Sequence, residues 1–176
     1  MADLRAILVT GTVGVGKTSV LLEIDAILSR GSGSYALCDL DWLAWLRPDP
    51  GRATTVQEVL SENLRHVTAT FRAAGVTRLV LARAVSRTSE VETIRASLAP
   101  AELVVIRLVA SASVVEQRLG RRDSGATLSE HLAEARTFAA DAEAAGIGDA
   151  TVSTDELVPS VIAHEVLERA GWQPDP

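Results

Sequence analysis

Lysine, cysteine, methionine and aromatic residues are scarce in this 176-residue sequence, and several of these shortages exclude a class of protein. A single cysteine, Cys38, closes no internal disulfide, so disulfides do not staple the fold. The three histidines, His66, His131 and His164, fall in separate predicted helices, and with one thiol they supply no metal cluster. They are expected to be surface or packing residues. No apolar run approaches the roughly 20 residues that span a bilayer, and no repeat or low-complexity segment is found. The opening MADLRAILVTG lacks a basic region followed by a long apolar stretch, which sets a cytoplasmic expectation. Excess positive charge is missing as well. The 17 lysines and arginines are outnumbered by 23 acids, a net charge of −6, which argues against a nucleic-acid or membrane partner and for a small soluble one. No G-x-S-x-G elbow supports nucleophilic acyl chemistry. The sequence carries no signal for an oligomeric state.

What is present fits one globular domain: hydrophobic residues make up 47% and charged ones 23%, enough for a sizeable core but not for a second domain. The expected bounds are 1–171, with 172–176 as a frayed tail. Among the 17 basic residues only Lys17 is a lysine. A chain that otherwise uses arginine keeps one compact ammonium on a flexible stem, and keeps it in a glycine-rich loop.

RAILVT reads as a buried strand ending at Thr10, followed by a helix from Lys17 to Arg30 with Val20, Leu21, Ile24, Ile27 and Leu28 on one face. SYALCDLD reads as a second strand and WLAWLRPDPGRAT as irregular. Thr55 and Glu58 form a capping box for a helix running to Gly75, with Val56, Leu60, Leu64, Val67 and Phe71 as its apolar stripe. TRLVLA is a third strand, Ser89 to Leu98 a helix, and ELVVIRLVA a fourth strand. Ser113 and Glu116 are expected to cap a helix to Arg122. The loop RRDSGA follows, then a helix opened by Thr127 and Glu130, the strand DATVST, and a last helix from Thr154 to Ala170 with Pro159 in its first turn. Strands alternating with helices imply a parallel sheet covered on both faces, an α/β/α three-layer sandwich with five strands.

Gly11-x-x-x-x-Gly16-Lys17-Thr18 lies between a strand and a helix, the context a phosphate-binding P-loop requires. Glycines let successive N–H groups turn inward, and the helix N-terminus adds positive potential for phosphate. Gly11, Gly14, Val15, Gly16, Lys17, Thr18 and Ser19 are therefore the expected binding residues for a nucleoside triphosphate. Lys17 would reach the β and γ phosphates, and Thr18 would offer its hydroxyl to Mg²⁺. The glycine spacing is G-x-x-G-x-G, which is not the dinucleotide fingerprint.

In CDLDW, Asp39 and Asp41 are expected at the end of the second strand, two apart and on one face. Near a phosphate-bound Mg²⁺ such carboxylates divide the work, one holding a metal-bound water and the other taking a proton from an attacking hydroxyl. Acids also end strands simply as turn formers.

These motifs resemble the small-molecule kinase branch of P-loop proteins: shikimate, gluconate and adenylyl-sulfate kinases and antibiotic phosphotransferases such as the chloramphenicol enzyme. The resemblance implies the strand order 2-3-1-4-5, ATP and Mg²⁺, Asp39 at the metal, and Asp41 at the acceptor hydroxyl or as base. It also implies a lid near 118–128, in which Arg118 and Arg122, four apart on one helical face, close over phosphates and adenine as catalytic groups, Arg118 also binding the nucleotide. A solvated basic patch at a helix C-terminus is the plainer account of these arginines and Arg121. One departure is RLVLARAVSR, where Ala82 and Arg83 stand in place of the acid that many P-loop proteins carry after the third strand. That weakens a motor or switch-GTPase reading. Arg83 and Arg87 either face the acceptor or form a surface pair. Trp42 and Trp45, with Arg47 and Arg52 after them, either wall an acceptor or pack in the core.

The expected activity is ATP-dependent transfer of the γ-phosphate to a hydroxyl of a small acceptor. The competing readings are a regulatory P-loop protein with slow or no hydrolysis, which has no need of an acid pair and lid, and a nucleotide kinase, whose D-G-F/Y-P-R-type signature is missing.

Overall fold

The computed structural model describes residues 3–172. Five strands form one parallel sheet in the order β2-β3-β1-β4-β5. They are β1 (Arg5–Thr10), β2 (Tyr35–Asp39), β3 (Arg78–Ala82), β4 (Glu102–Val109) and β5 (Ala150–Ser153). The crossovers are helical, as parallel neighbours demand: α1 (Lys17–Leu28), α2 (Leu40–Leu43), α3 (Val56–Ala73), α4 (Thr88–Leu98), α5 (Ala112–Arg122), α6 (Gly125–Ala144) and α7 (Pro159–Arg169).

Central β1 is buried on both faces, so its sequence is a continuous apolar run rather than an alternation. Ile7 and Val9 join α1 and α7 in one core, while Ala6 and Leu8 face α3 and α4 in the other. The five α1 residues expected inward are the five that are buried. Each such side chain contributes roughly 1.5–3 kcal/mol on burial. The capping box of Thr55 and Glu58 forms, with Thr55 Oγ1 accepting from the Glu58 N–H and Glu58 Oε2 from the Thr55 N–H.

Several boundaries differ from the sequence expectation. β2 stops at Asp39, and Asp41 lies in α2, not on the strand. Asp39 is the N-cap of α2: its Oδ1 accepts the Asp41 N–H at 3.0 Å, and that bond turns the chain out of the sheet. The N-cap of α5 is Ser111, so Ser113 sits inside the first turn and no Ser113/Glu116 box forms. Helix covers most of the expected loop at 121–126, since α5 runs to Arg122 and α6 starts at Gly125, ahead of Thr127. The apolar residues Leu128, Leu132 and Ala135 of α6 pack on Val115 and Leu119 of α5, which fixes this helical hairpin. α7 starts at Pro159, not Thr154, because proline's fixed φ and missing N–H suit the first helical position. Trp172, expected in the tail, is 2% exposed in the core, with the Arg5 guanidinium 5.6 Å from its ring centre. The remaining tail positions, 173–176, lie outside the described residues.

Candidate functional site at the P-loop

The loop between β1 and α1 turns at the C-terminal edge of the sheet. Gly11 has φ 144°, and a Cβ there would lie 2.5 Å from the Leu108 carbonyl oxygen and 2.9 Å from Val15 Cγ1, so β4 presses directly on the loop. Gly16 is the N-cap of α1 at φ 106°, with no side-chain cap and no acid in the first turn. The leading amides of α1 are therefore left to an external anion.

Lys17 Nζ donates to the carbonyls of Gly11 (2.7 Å) and Thr12 (3.0 Å), arching over the loop it belongs to. Burial lowers its pKa from 10.5 to about 8, against the opposing pull of Asp41, Asp39 and Glu134; Arg122 lowers it further. A phosphate would reverse that shift by giving the ammonium a close negative partner.

The loop opens into a cleft of about 580 Å³ lined by Gly14, Val15, Gly16, Lys17, Thr18, Ser19, Asp39, Asp41, Arg118 and Arg122. A larger depression, about 770 Å³, runs along α3 from Ala53 to Arg65, but it holds no phosphate-binding loop. Leu157, Pro159 and Ile162 add an apolar wall to the P-loop cleft that the sequence reading did not single out. Its one sequence signal is Pro159 at the start of α7.

The two acids meet the cleft from different elements. Asp39 ends β2 and spends Oδ1 on the α2 cap, while Asp41 is 61% exposed and pairs through Oδ1 with Arg83 Nη1 at 3.1 Å. Arg83, the residue that follows β3, is thus the ion-pair partner of Asp41. Its backbone N–H donates to Val9 O, and the next loop is tied to β1 by Thr10 Oγ1, which accepts from the Val85 N–H at 2.9 Å. Arg87 is exposed at the N-cap of α4.

Arg118 and Arg122, the two arginines expected in a lid, are both engaged within the protein. Arg118 donates to Val15 O (3.0 Å), Thr154 Oγ1 (2.9 Å) and Thr154 O (2.5 Å), so its fork locks the P-loop to the segment after β5. Arg122 donates to both oxygens of Asp123 (3.0 and 2.9 Å), and Asp123 Oδ2 also lies 2.7 Å from His131 Nδ1. Hydrogen bonds from Arg122 and then His131 hold the Asp123 carboxyl near pKa 2. His131 does not itself line the cleft; it reaches it only through Asp123 and Arg122. Arg121 does not line the cleft. Of the two expectations for Trp42 and Trp45, an acceptor wall or core packing, the second fails: they are 71% and 75% exposed, with ring centroids 4.8 Å apart.

The site's fit to Mg²⁺ follows from its donor types. Among the described residues no three His, Cys, Asp or Glu side chains gather as a metal cage. Thr18 and Asp39 share the cleft, and one hydroxyl with one carboxylate beside phosphates is the donor set Mg²⁺ accepts.

No protein-family model matches the sequence, and neither does any curated protein. Solved structures do match. A sugar kinase from Janibacter sp. HTCC2649 superposes with a TM-score of 0.64 at 16% identity, over 97% of this chain and 96% of that one. The chain has the P-loop kinase fold. A gluconokinase from Sinorhizobium meliloti 1021 gives 0.61 at 23% identity, over 97% and 94% of the two chains. The APS kinase of Mycobacterium tuberculosis, solved with AMPPNP and APS, gives 0.58 at 18% identity, over 97% and 99%. Within this P-loop kinase fold, no helix of the described residues is long and apolar enough to cross a membrane.

Proposed function

We propose that this chain is an ATP-dependent phosphotransferase that moves the γ-phosphate to a hydroxyl of a small acceptor. The observation that carries the reading is the convergence, in one cleft, of a phosphate-binding loop with its lysine and a carboxylate, Asp41, oriented by Arg83. The APS kinase neighbour holding AMPPNP supports the nucleotide assignment.

The α1 amides and Lys17 bind the triphosphate, and Lys17 exchanges its two carbonyl partners for phosphate oxygens. Thr18 and Asp39 would hold Mg²⁺, which would supply charge neutralisation at the phosphates. Asp41 receives the acceptor: Arg83 occupies its Oδ1, leaving Oδ2 for the hydroxyl. The hydroxyl proton passes to Asp41 as the acceptor oxygen bonds the γ-phosphorus and the β–γ bridging bond breaks, leaving ADP and a phosphorylated acceptor. Arg118 sets the position of the loop through Val15, and Arg122 stands at the phosphate end, released from Asp123 when phosphate competes for its fork. The apolar wall of Leu157, Pro159 and Ile162 takes the adenine.

The test is ADP release from Mg·ATP over a panel of polyols, sugar acids, nucleosides and phenolic or aminoglycoside antibiotics, with Asp41→Asn alongside. Stimulation by an acceptor that falls at least a hundredfold in the variant supports the proposal. ATP binding with no stimulation by any acceptor favours a regulatory nucleotide-binding protein.

A further inference from the structure

We infer that Asp123 is a latch: it holds Arg122 back from the phosphates of a bound nucleotide, and a charged His131 loosens that hold. The inference rests on the reading of the cleft as a triphosphate site and adds two positioning residues, neither of which lines the cleft.

Arg122 ends α5 and lines the P-loop cleft, where its charge acts on the Lys17 ammonium, yet its fork is turned onto the next residue. Nε donates to Asp123 Oδ1 at 3.0 Å and Nη2 to Oδ2 at 2.9 Å. This is the bidentate geometry in which a guanidinium takes a carboxylate or a phosphate, so the two compete for one fork. Nucleotide affinity is then scaled down by the fraction of molecules in which Arg122 is free. The backbone around the latch is fixed, because Leu128, Leu132 and Ala135 of α6 pack on Val115 and Leu119 of α5. What can swing is the Arg122 side chain, 54% exposed against 10% for Asp123.

His131 claims the same carboxylate. Its Nδ1 lies 2.7 Å from Asp123 Oδ2 and 3.3 Å from Arg122 Nη2. The carboxylate only accepts and the guanidinium only donates, so Nδ1 carries a proton given to Asp123 and faces Nη2 donor to donor. A neutral imidazole leaves Arg122 the sole cation on Asp123. An imidazolium strengthens its own bond to the carboxylate and sets a second positive charge against the guanidinium. Histidine ordinarily changes charge between pH 5 and 8. Asp123, held near pKa 2, stays ionised there, so His131 is the member of the pair that titrates. The charges around it are Arg121 and Arg122 on α5, Asp123 at the joint, Glu130 and Glu134 on α6, and Lys17 of the P-loop, on which Glu134 also acts. Of these, Asp123 and Arg122 are the ones within bonding distance among the described residues. Falling pH therefore frees Arg122 for phosphate.

Binding of Mg·ATP is measured by calorimetry from about pH 7.5 to about pH 5.5 in the parent, Arg122→Gln, Asp123→Asn, His131→Gln and the double variant Arg122→Gln/Asp123→Asn, with melting curves to show that each is folded. At the upper pH Asp123→Asn, isosteric but uncharged, is expected to bind at least threefold tighter than the parent. On the Arg122→Gln background the gain should be less than half as large, whereas a merely structural Asp123 would give the same change on both. As pH falls over this range, the affinity of the parent relative to His131→Gln should rise at least threefold, a ratio in which the titrations of ATP and Lys17 cancel. The latch is overturned if Asp123→Asn binds no tighter than the parent, if its gain is the same without Arg122, or if the ratio stays flat. Should Asp123→Asn fail to fold, the His131 ratio decides, since it needs no change at Asp123. The two readings fail differently: no binding of ATP by the parent sinks the triphosphate site and the latch with it, whereas ATP binding without these effects sinks the latch alone.

Discussion

Arg118→Ala is expected to destabilise the nucleotide-free protein, because this arginine is built into the fold as well as into the cleft. Its guanidinium makes three hydrogen bonds that join Val15 in the P-loop to Thr154 after β5, bridging segments 139 residues apart in sequence. A bond from a charged donor nets about 1.5–3 kcal/mol. Three bonds sharing one fork are not additive, which gives about 3 kcal/mol for the set. In a chain of this size that is a fall in Tm of about 6–12 °C. Arg118→Lys keeps the charge but has no planar fork to span both partners, and should recover less than half of the loss. Scanning calorimetry on the empty proteins gives the shift, and ATP titration then gives the consequence for the loop. A mobile lid arginine would behave oppositely, leaving the empty protein's Tm within about 1 °C of the parent and weakening only nucleotide binding or turnover; that result would refute the bridging role.

Gly11→Ala should cost roughly 2–4 kcal/mol in urea unfolding, since its Cβ would meet the Leu108 carbonyl oxygen at 2.5 Å, whereas Gly16→Ala meets no atom within 4 Å and bears only the strain of φ 106°. The affinity for ATP should fall as pH rises through about 8, by up to tenfold per unit, and Lys17→Met should flatten that profile. For folding the same group acts in the other sense. Its pKa is lower in the folded state, so the unfolded chain protonates first as pH falls from 10.5 to about 8, and the empty protein loses stability across that window and none below it. Asp123, held near pKa 2 against an ordinary 3.8, contributes stability above about pH 4 that is lost as pH falls towards 2; Asp123→Asn should remove this acid limb from a plot of Tm against pH.

The central strands, the buried face of α1 and the P-loop were legible because each rests on a local pattern: a continuous apolar run, a 3.6-residue period, and glycines at fixed offsets; the strand order has no such pattern and followed only from the resemblance. Asp41 was misplaced because CDLD reads equally well as strand continuation; the deciding event is one hydrogen bond, Asp39 Oδ1 accepting the Asp41 N–H. The fate of the tryptophans was not legible, since Trp172 and Trp42 differ only in which neighbours the fold brings to them. The engagement of Arg118 with Thr154, and of Arg83 with Asp41, joins residues far apart in sequence, where no periodicity carries a signal.

The most direct measurement of the central claim is the fate of the γ-phosphate itself. ATP carrying ¹⁸O in its γ-phosphate is incubated with the protein, Mg²⁺ and pooled hydroxylated acceptors, and the products are read by mass spectrometry. The account predicts labelled phosphate on an acceptor, and its disappearance with Asp41→Asn. Label found only in inorganic phosphate, at the same rate in both proteins, would contradict it.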